Sequence, residues 1–129
     1  MITADQLLLH VIGDYIIQSD WMATEKTKRS LAAVIHAVTY ALPFLLLTTS
    51  PTALAVIAGT HFVIDRFRLA RYVCWVKDWP WPSRRPWAQC TKTGFPDDKQ
   101  PAWIALWIMI VVDNTMHVVI NGASIRWLS

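Results

Sequence analysis

The chain has 129 residues, of which 54% are hydrophobic and 16% charged, with a formal net charge of +3 and two cysteines. That length fits one domain, the apolar content excludes intrinsic disorder, and two cysteines exclude a disulfide scaffold. Charged residues fall below the roughly 25% of an average soluble domain, and the stretch from Ser30 to Ile64 has none, so an integral membrane protein is expected.

The amino terminus lacks a basic n-region, and its apolar stretch carries His10 and Asp14, so no cleavable signal peptide is read there. A first helix is expected over about 4–28. Leu7, Leu8, Val11, Ile12, Tyr15 and Ile16 form its apolar stripe, and Gln6, His10, Asp14 and Gln18 its polar face. Such a helix either spans with its polar face toward a bundle interior or lies partly in the interface. A second is expected over 31–49, without formal charge and with a kink at Pro43. A turn at 48–52 leads to a third helix over 51–77, whose apolar half ends near Ile64 and whose basic half carries Arg66, Arg68 and Arg71. A fourth, over 101–127, is interrupted only by Asp113. Between them, 78–100 reads as a Trp- and Pro-rich loop on the headgroup layer, because Pro80, Pro82 and Pro86 break any helix and Trp anchors at membrane interfaces.

The expected fold is all-α, a single membrane domain of four bundled helices, three or four of them spanning. Eleven of the 12 Lys and Arg lie in 26–29 and 66–99. The positive-inside rule places both regions in the cytoplasm of a bacterial inner membrane and the carboxyl terminus outside.

Three of the four histidines have an Asp one helical turn away: His10 with Asp14, His61 with Asp65, and His117 with Asp113. Residues at i and i+4 share a helix face, so each pair aims two ligands in one direction. A carboxylate at the centre of a membrane helix costs roughly 2.5–3.5 kcal/mol, which calls for partners in the bundle interior. Imidazole and carboxylate suit Zn or Mn. With His36, the candidate ligands are His10, Asp14, His36, His61, Asp65, Asp113 and His117, enough for two ions. Asp14 and Asp65 are the catalytic candidates, Gln6, Gln18 and Asn121 candidate polar supports. Arg66, Arg68 and Arg71, with Lys26, Lys28 and Arg29, read first as snorkelling border residues, and otherwise as a clamp for an anion. Gly13 and Gly59 read as points of close helix approach. Cys74 and Cys90 form no CxxC and read as free thiols.

The stretch LLLHVIGDYIIQSDWM, with its L-x-x-H-x-x-G-D-x-x-x-Q pattern, and HFVID at 61–65 resemble the domain of unknown function 3307 family, small integral membrane proteins of phages and bacteria. His36 falls between the two motifs as a further family-like histidine. The likeness covers most of the chain outside the proline-rich loop and implies site roles for His10, Asp14, Gln18, His36, His61 and Asp65. Asp113 and His117 rest on spacing and burial. A looser likeness to membrane-bound metal-dependent hydrolases implies hydrolytic chemistry. The leading expectation is therefore a divalent-metal-dependent hydrolase acting on a phosphorylated lipid. The alternatives are a metal or proton transport or binding protein, and a small phage-encoded interaction protein in which the polar groups only lock the bundle. Membrane lipids are the expected partners, nucleic acid is not, and homo-oligomerisation stays open.

Overall fold

The computed structural model describes residues 2–79, 81–82 and 85–129. Pro80, expected to break a helix, lies outside them. The described chain is all-α, with one isolated bridge between Cys90 and Pro96 and no strand. It divides into two compact units, residues 1–67 with 117–129, and residues 68–116.

The first expected helix is not continuous. Helix α1 (Ala4–Val11) passes into a π-helical stretch, Ile12–Ile17. Gln18 then turns extended, and a six-residue helix α2 (Asp20–Glu25) begins behind Ser19, whose hydroxyl accepts from the Met22 amide. Side-chain capping explains the restart, since Ser satisfies an orphan amide of the first turn. Gln6, expected among the polar supports, closes a capping box at the start of α1. Its Oε1 accepts from the Thr3 amide, and Thr3 Oγ1 accepts from its own amide.

Helix α3 (Ser30–Ala41) tightens into a 3-10 stretch, Leu42–Leu46, at Pro43, where the missing amide and the ring disfavour an α turn. Helix α4 (Pro51–Phe67) returns antiparallel to α3. His36 meets His61 in the middle, and Arg66 meets Ser30 at the end. The expected third helix is cut at Arg68, a non-glycine residue in the left-handed region (φ 52°), after which α5 (Leu69–Val76) begins. Helix α6 (Ala102–Leu128) runs unbroken. Among the described residues it is the one helix long and apolar enough to cross a membrane; Ser30–Leu46 is apolar but shorter.

In the first unit, many polar side chains are buried beside a small apolar core, and many large apolar side chains are exposed. Buried positions include Gln6, His10, Asp14, His36, His61, Asp65, His117, Asn121 and Ser124. Leu7, Leu8, Ile16, Leu31, Val38, Leu42 and Leu46 are exposed. The informative departures in any fold are buried polar groups and large exposed apolar faces, and both occur here. A small apolar core of Leu9, Tyr40, Ala41, Phe44 and Ile57 closes one end of the polar interior. The turn beyond it is tied to the end of α6, where Ser129 Oγ donates to Thr48 Oγ1 at 2.7 Å.

Two glycines separate under this packing. A Cβ on Gly13 would stand 2.5 Å from Tyr40 Cδ2 and 3.2 Å from the Tyr40 carbonyl oxygen, so close approach of the π stretch to α3 requires glycine there. At Gly59 an added Cβ meets nothing within 4 Å, and the expectation of close approach does not hold.

The second unit packs Cys74, Phe95 and Ala105 together, with Ile108, Met109 and Val112 against them. Its loop lies on α5: Trp87 stacks on Tyr72 at 4.8 Å, and Trp75 Nε1 donates to the Arg85 carbonyl at 3.0 Å. Trp79 and Trp81 are exposed, and the two cysteines are free thiols.

Candidate metal centre

The first helical segment, α3, α4 and the end of α6 contribute to one polar cluster because their buried faces carry polar residues. On α4, His61 and Asp65 are one turn apart and both buried. On α3, His36 and Tyr40 have the same spacing and are fully buried. On the first segment, the π-helical turns place Asp14 behind His10. Single π turns recur at functional sites because they redirect one side chain without breaking the helix.

Four ligand atoms, one each from Asp14, His36, His61 and Asp65, lie within 4.8 Å of one another. His36 Nε2 is 3.2 Å from Asp14 Oδ1 and 3.1 Å from Asp65 Oδ2. His61 Nε2 is 3.4 Å and 3.0 Å from the same two oxygens. The two Nε2 atoms are 2.9 Å apart. Zinc bonds of about 2.0–2.1 Å put tetrahedral ligand atoms roughly 3.3 Å from each other. The five spacings, 2.9–3.4 Å, bracket that value.

Asp14 Oδ1 and Asp65 Oδ2 are buried close to the imidazole nitrogens; Asp14 Oδ1 has no hydrogen-bond donor, and Asp65 Oδ2 is ion-paired with Lys26 Nζ at 2.8 Å. With the two Nε2 atoms they cluster about one shared point. A buried carboxylate oxygen without a donor is costly, and a cation at the shared point removes that cost. These buried Asp and His groups can hold a metal ion, and the donor set fits Zn, with Mn as the next choice.

His10 and His117 flank the four donors. His10 Nδ1 is 3.5 Å from Asp14 Oδ2 and 2.8 Å from the Tyr40 hydroxyl. His117 Nε2 is 3.9 Å from Asp65 Oδ1, and its ring is 4.3 Å from that of His61. Tyr40 stands at the centre of this aromatic group. It stacks on His61 at 3.7 Å, and its hydroxyl accepts from Asn121 Nδ2. Asn121 therefore supports Tyr40 rather than a donor directly. Asp113 lies in the second unit, half-buried and one turn before His117 on α6.

Lys26 enters the cluster from the end of α2. Its Nζ is 2.8 Å from Asp65 Oδ2, 3.4 Å from His36 Nε2 and 2.7 Å from Gln18 Oε1, which accepts from it. Gln18 thus meets the site through Lys26. Arg66 is engaged elsewhere, donating from Nη1 to the Thr27 carbonyl at 2.8 Å and from Nε to Ser30 Oγ at 3.3 Å. Arg68 belongs to the second unit. Lys28 and Arg29 pair with Glu25 on the surface, at 3.2 and 3.0 Å.

Sequence reasoning missed two residues. Tyr40 was visible as the residue one turn after His36, the only histidine without an Asp at that spacing. Lys26 reads in the sequence as a border cation or an anion clamp but not as a partner of Asp65, because no sequence period shows that the two residues meet.

A family model described as a protein of unknown function (DUF3307) matches residues 2–121. No curated protein matches the chain, and no solved structure does.

Proposed function

The chain belongs to the DUF3307 family, and for it we propose a divalent-metal-dependent hydrolase embedded in a membrane, with Asp14, His36, His61 and Asp65 holding the ion. The observation that carries this reading is the convergence of four buried donors from three helical segments, all within 4.8 Å of one another. These four donors are enough for one ion. A bound Zn or Mn supplies a Lewis acid and lowers the pKa of a coordinated water toward neutrality.

The chain's own groups do the rest. Asp14 and Asp65 carry the charge of the site, and either is placed to take a proton, with His10 beside Asp14 and His117 beside Asp65. Tyr40 fixes the His61 ring by stacking on it, and Asn121 holds the Tyr40 hydroxyl. The apolar exterior of the first unit and the length of α6 support a bilayer as the surrounding medium. We place the protein in a bacterial plasma membrane as a multi-pass bundle, with the basic regions cytoplasmic. A substrate held at such a site is a lipid with an anionic phosphate headgroup.

One observation favours a second reading. Four protein donors are enough in number to fill a tetrahedral shell, as structural zinc sites do, whereas catalytic sites keep a position open. On that basis the protein would bind or carry the metal without turnover.

The test is metal content by inductively coupled plasma mass spectrometry on the detergent-purified chain, beside an Asp14→Asn, His61→Gln variant. It is followed by phosphate release from phosphatidic acid and lipid pyrophosphates in mixed micelles. Stoichiometric metal lost in the variant, with metal-dependent phosphate release, is the expected result. Metal without release from any phospholipid moves the assignment to the binding reading. A folded wild type that takes up neither Zn nor Mn overturns both.

A further inference from the structure

We propose that Lys26 couples metal binding to anion binding. Its ammonium neutralises Asp65 when no ion is held, and an arriving divalent ion releases it to grip the phosphate of the substrate. This rests on the metal reading above and names the order in which the site fills.

The geometry sets up a competition. Lys26 Nζ is 2.8 Å from Asp65 Oδ2, the same oxygen that lies 3.1 Å from His36 Nε2 and 3.0 Å from His61 Nε2. An ion bound to that oxygen at about 2.0 Å stands no farther than roughly 4.8 Å from an ammonium left in place. Two like charges at that range disfavour each other strongly in a buried setting. The ammonium has no lone pair and cannot join the ligand shell while it is charged. One of the two cations therefore leaves the oxygen when the other arrives.

Lys26 has somewhere to go. Its side chain is 18% exposed, against 4% for Asp65 and 0% for His36, so it sits at the rim of the cluster. It follows α2, a six-residue helix with no buried residue, entered through extended backbone at Gln18. Segments with few buried contacts move at low cost. Gln18 Oε1, already 2.7 Å from Nζ, is a neutral partner that does not compete with the ion. Arg66 cannot take this role in the same geometry, since Thr27 and Ser30 hold its guanidinium. A released lysine at the rim is a point charge suited to a phosphate. The anion subsite accordingly exists only after the ion is in place.

Zn is titrated calorimetrically into the detergent-solubilised full chain, as wild type and as Lys26→Met, with Lys26→Gln as the second variant should the first lose its helical circular dichroism. Inorganic phosphate binding is then measured by equilibrium dialysis with and without Zn. Without its competing charge, the variant is expected to bind Zn at least about tenfold more tightly. Wild type is expected to bind phosphate only when loaded with Zn, and the variant in neither state. Displacement of that phosphate by nanodiscs containing phosphatidic acid, and not by phosphatidylcholine alone, assigns the subsite to a lipid headgroup. No displacement assigns it to free phosphate. Equal or weaker Zn binding in the variant, or phosphate binding that ignores Zn, overturns the coupling while leaving the metal site intact. Absence of both Zn and Mn binding to folded wild type removes the metal reading, and the coupling with it.

Discussion

His36 and His61 present their Nε2 atoms to each other at 2.9 Å across two antiparallel helices, and both rings are buried. Neither Nδ1 atom has a hydrogen-bond partner. Two imidazoles facing each other between two carboxylates make a poor hydrogen-bond network and a good chelate. That contrast drives the first prediction.

Asp65→Asn replaces the carboxylate that faces both imidazoles and Lys26. The variant is expected to insert and fold, to purify without metal, and to show no phosphate release. In wild type, Zn at a hundredfold excess over its Kd raises stability by about 2.7 kcal/mol through mass action. The variant should show no such shift. Thermal unfolding with Zn and with a chelator reads the difference, and an equal Zn-induced shift in Asp65→Asn would remove that residue from the site.

Gly13→Ala and Gly59→Ala make a matched pair. At Gly13 the new methyl meets the Tyr40 ring and carbonyl, so a loss of about 1–3 kcal/mol is expected. At Gly59 the space is open, and removing a mid-helix glycine should stabilise by up to about 1 kcal/mol. Denaturant unfolding in detergent measures both, and a harmless Gly13→Ala would refute the close approach.

Tyr40→Phe deletes the hydroxyl that His10 and Asn121 share while keeping the ring on His61. Stability should fall by about 1–3 kcal/mol, the cost of withdrawing a buried hydrogen-bond partner. Metal content should stay unchanged, because Tyr40 is not among the four converging donors. Loss of metal in this variant would give the hydroxyl a direct part in the site.

Val38→Asp separates a lipid-facing surface from a water-facing one. Val38 is 53% exposed on α3. In water an exposed Val→Asp change is worth within about 0.5 kcal/mol. Facing hydrocarbon, it costs roughly 2.5–3.5 kcal/mol even on the lenient insertion scale. A membrane-integration assay on the full chain decides between the two, and unimpaired integration with unchanged stability would count against a bilayer around α3.

Much of the site was written in one dimension. The i,i+4 pairs His10 with Asp14 and His61 with Asp65 were legible because helical geometry fixes which residues share a face. Poverty in charge, with Asp14, Asp65 and Asp113 each one turn from a histidine, already called for a polar interior. All-α structure followed from the apolar periods. The breaks were harder to see. They depend on a serine cap after Gln18, on a left-handed Arg68, and on a π stretch whose Gly13 packs closely against Tyr40 of another segment.

Only the tertiary structure decided which members of the seven-residue candidate set converge. Asp14, His36, His61 and Asp65 meet at one point, whereas His10 turns to Tyr40 and His117 to the rim of Asp65. Spacing within a helix sets the direction of a side chain, but the crossing and offset of neighbouring helices set what it meets. The same holds for Lys26, a border cation by sequence that the chain's reversal after Gln18 carries to Asp65.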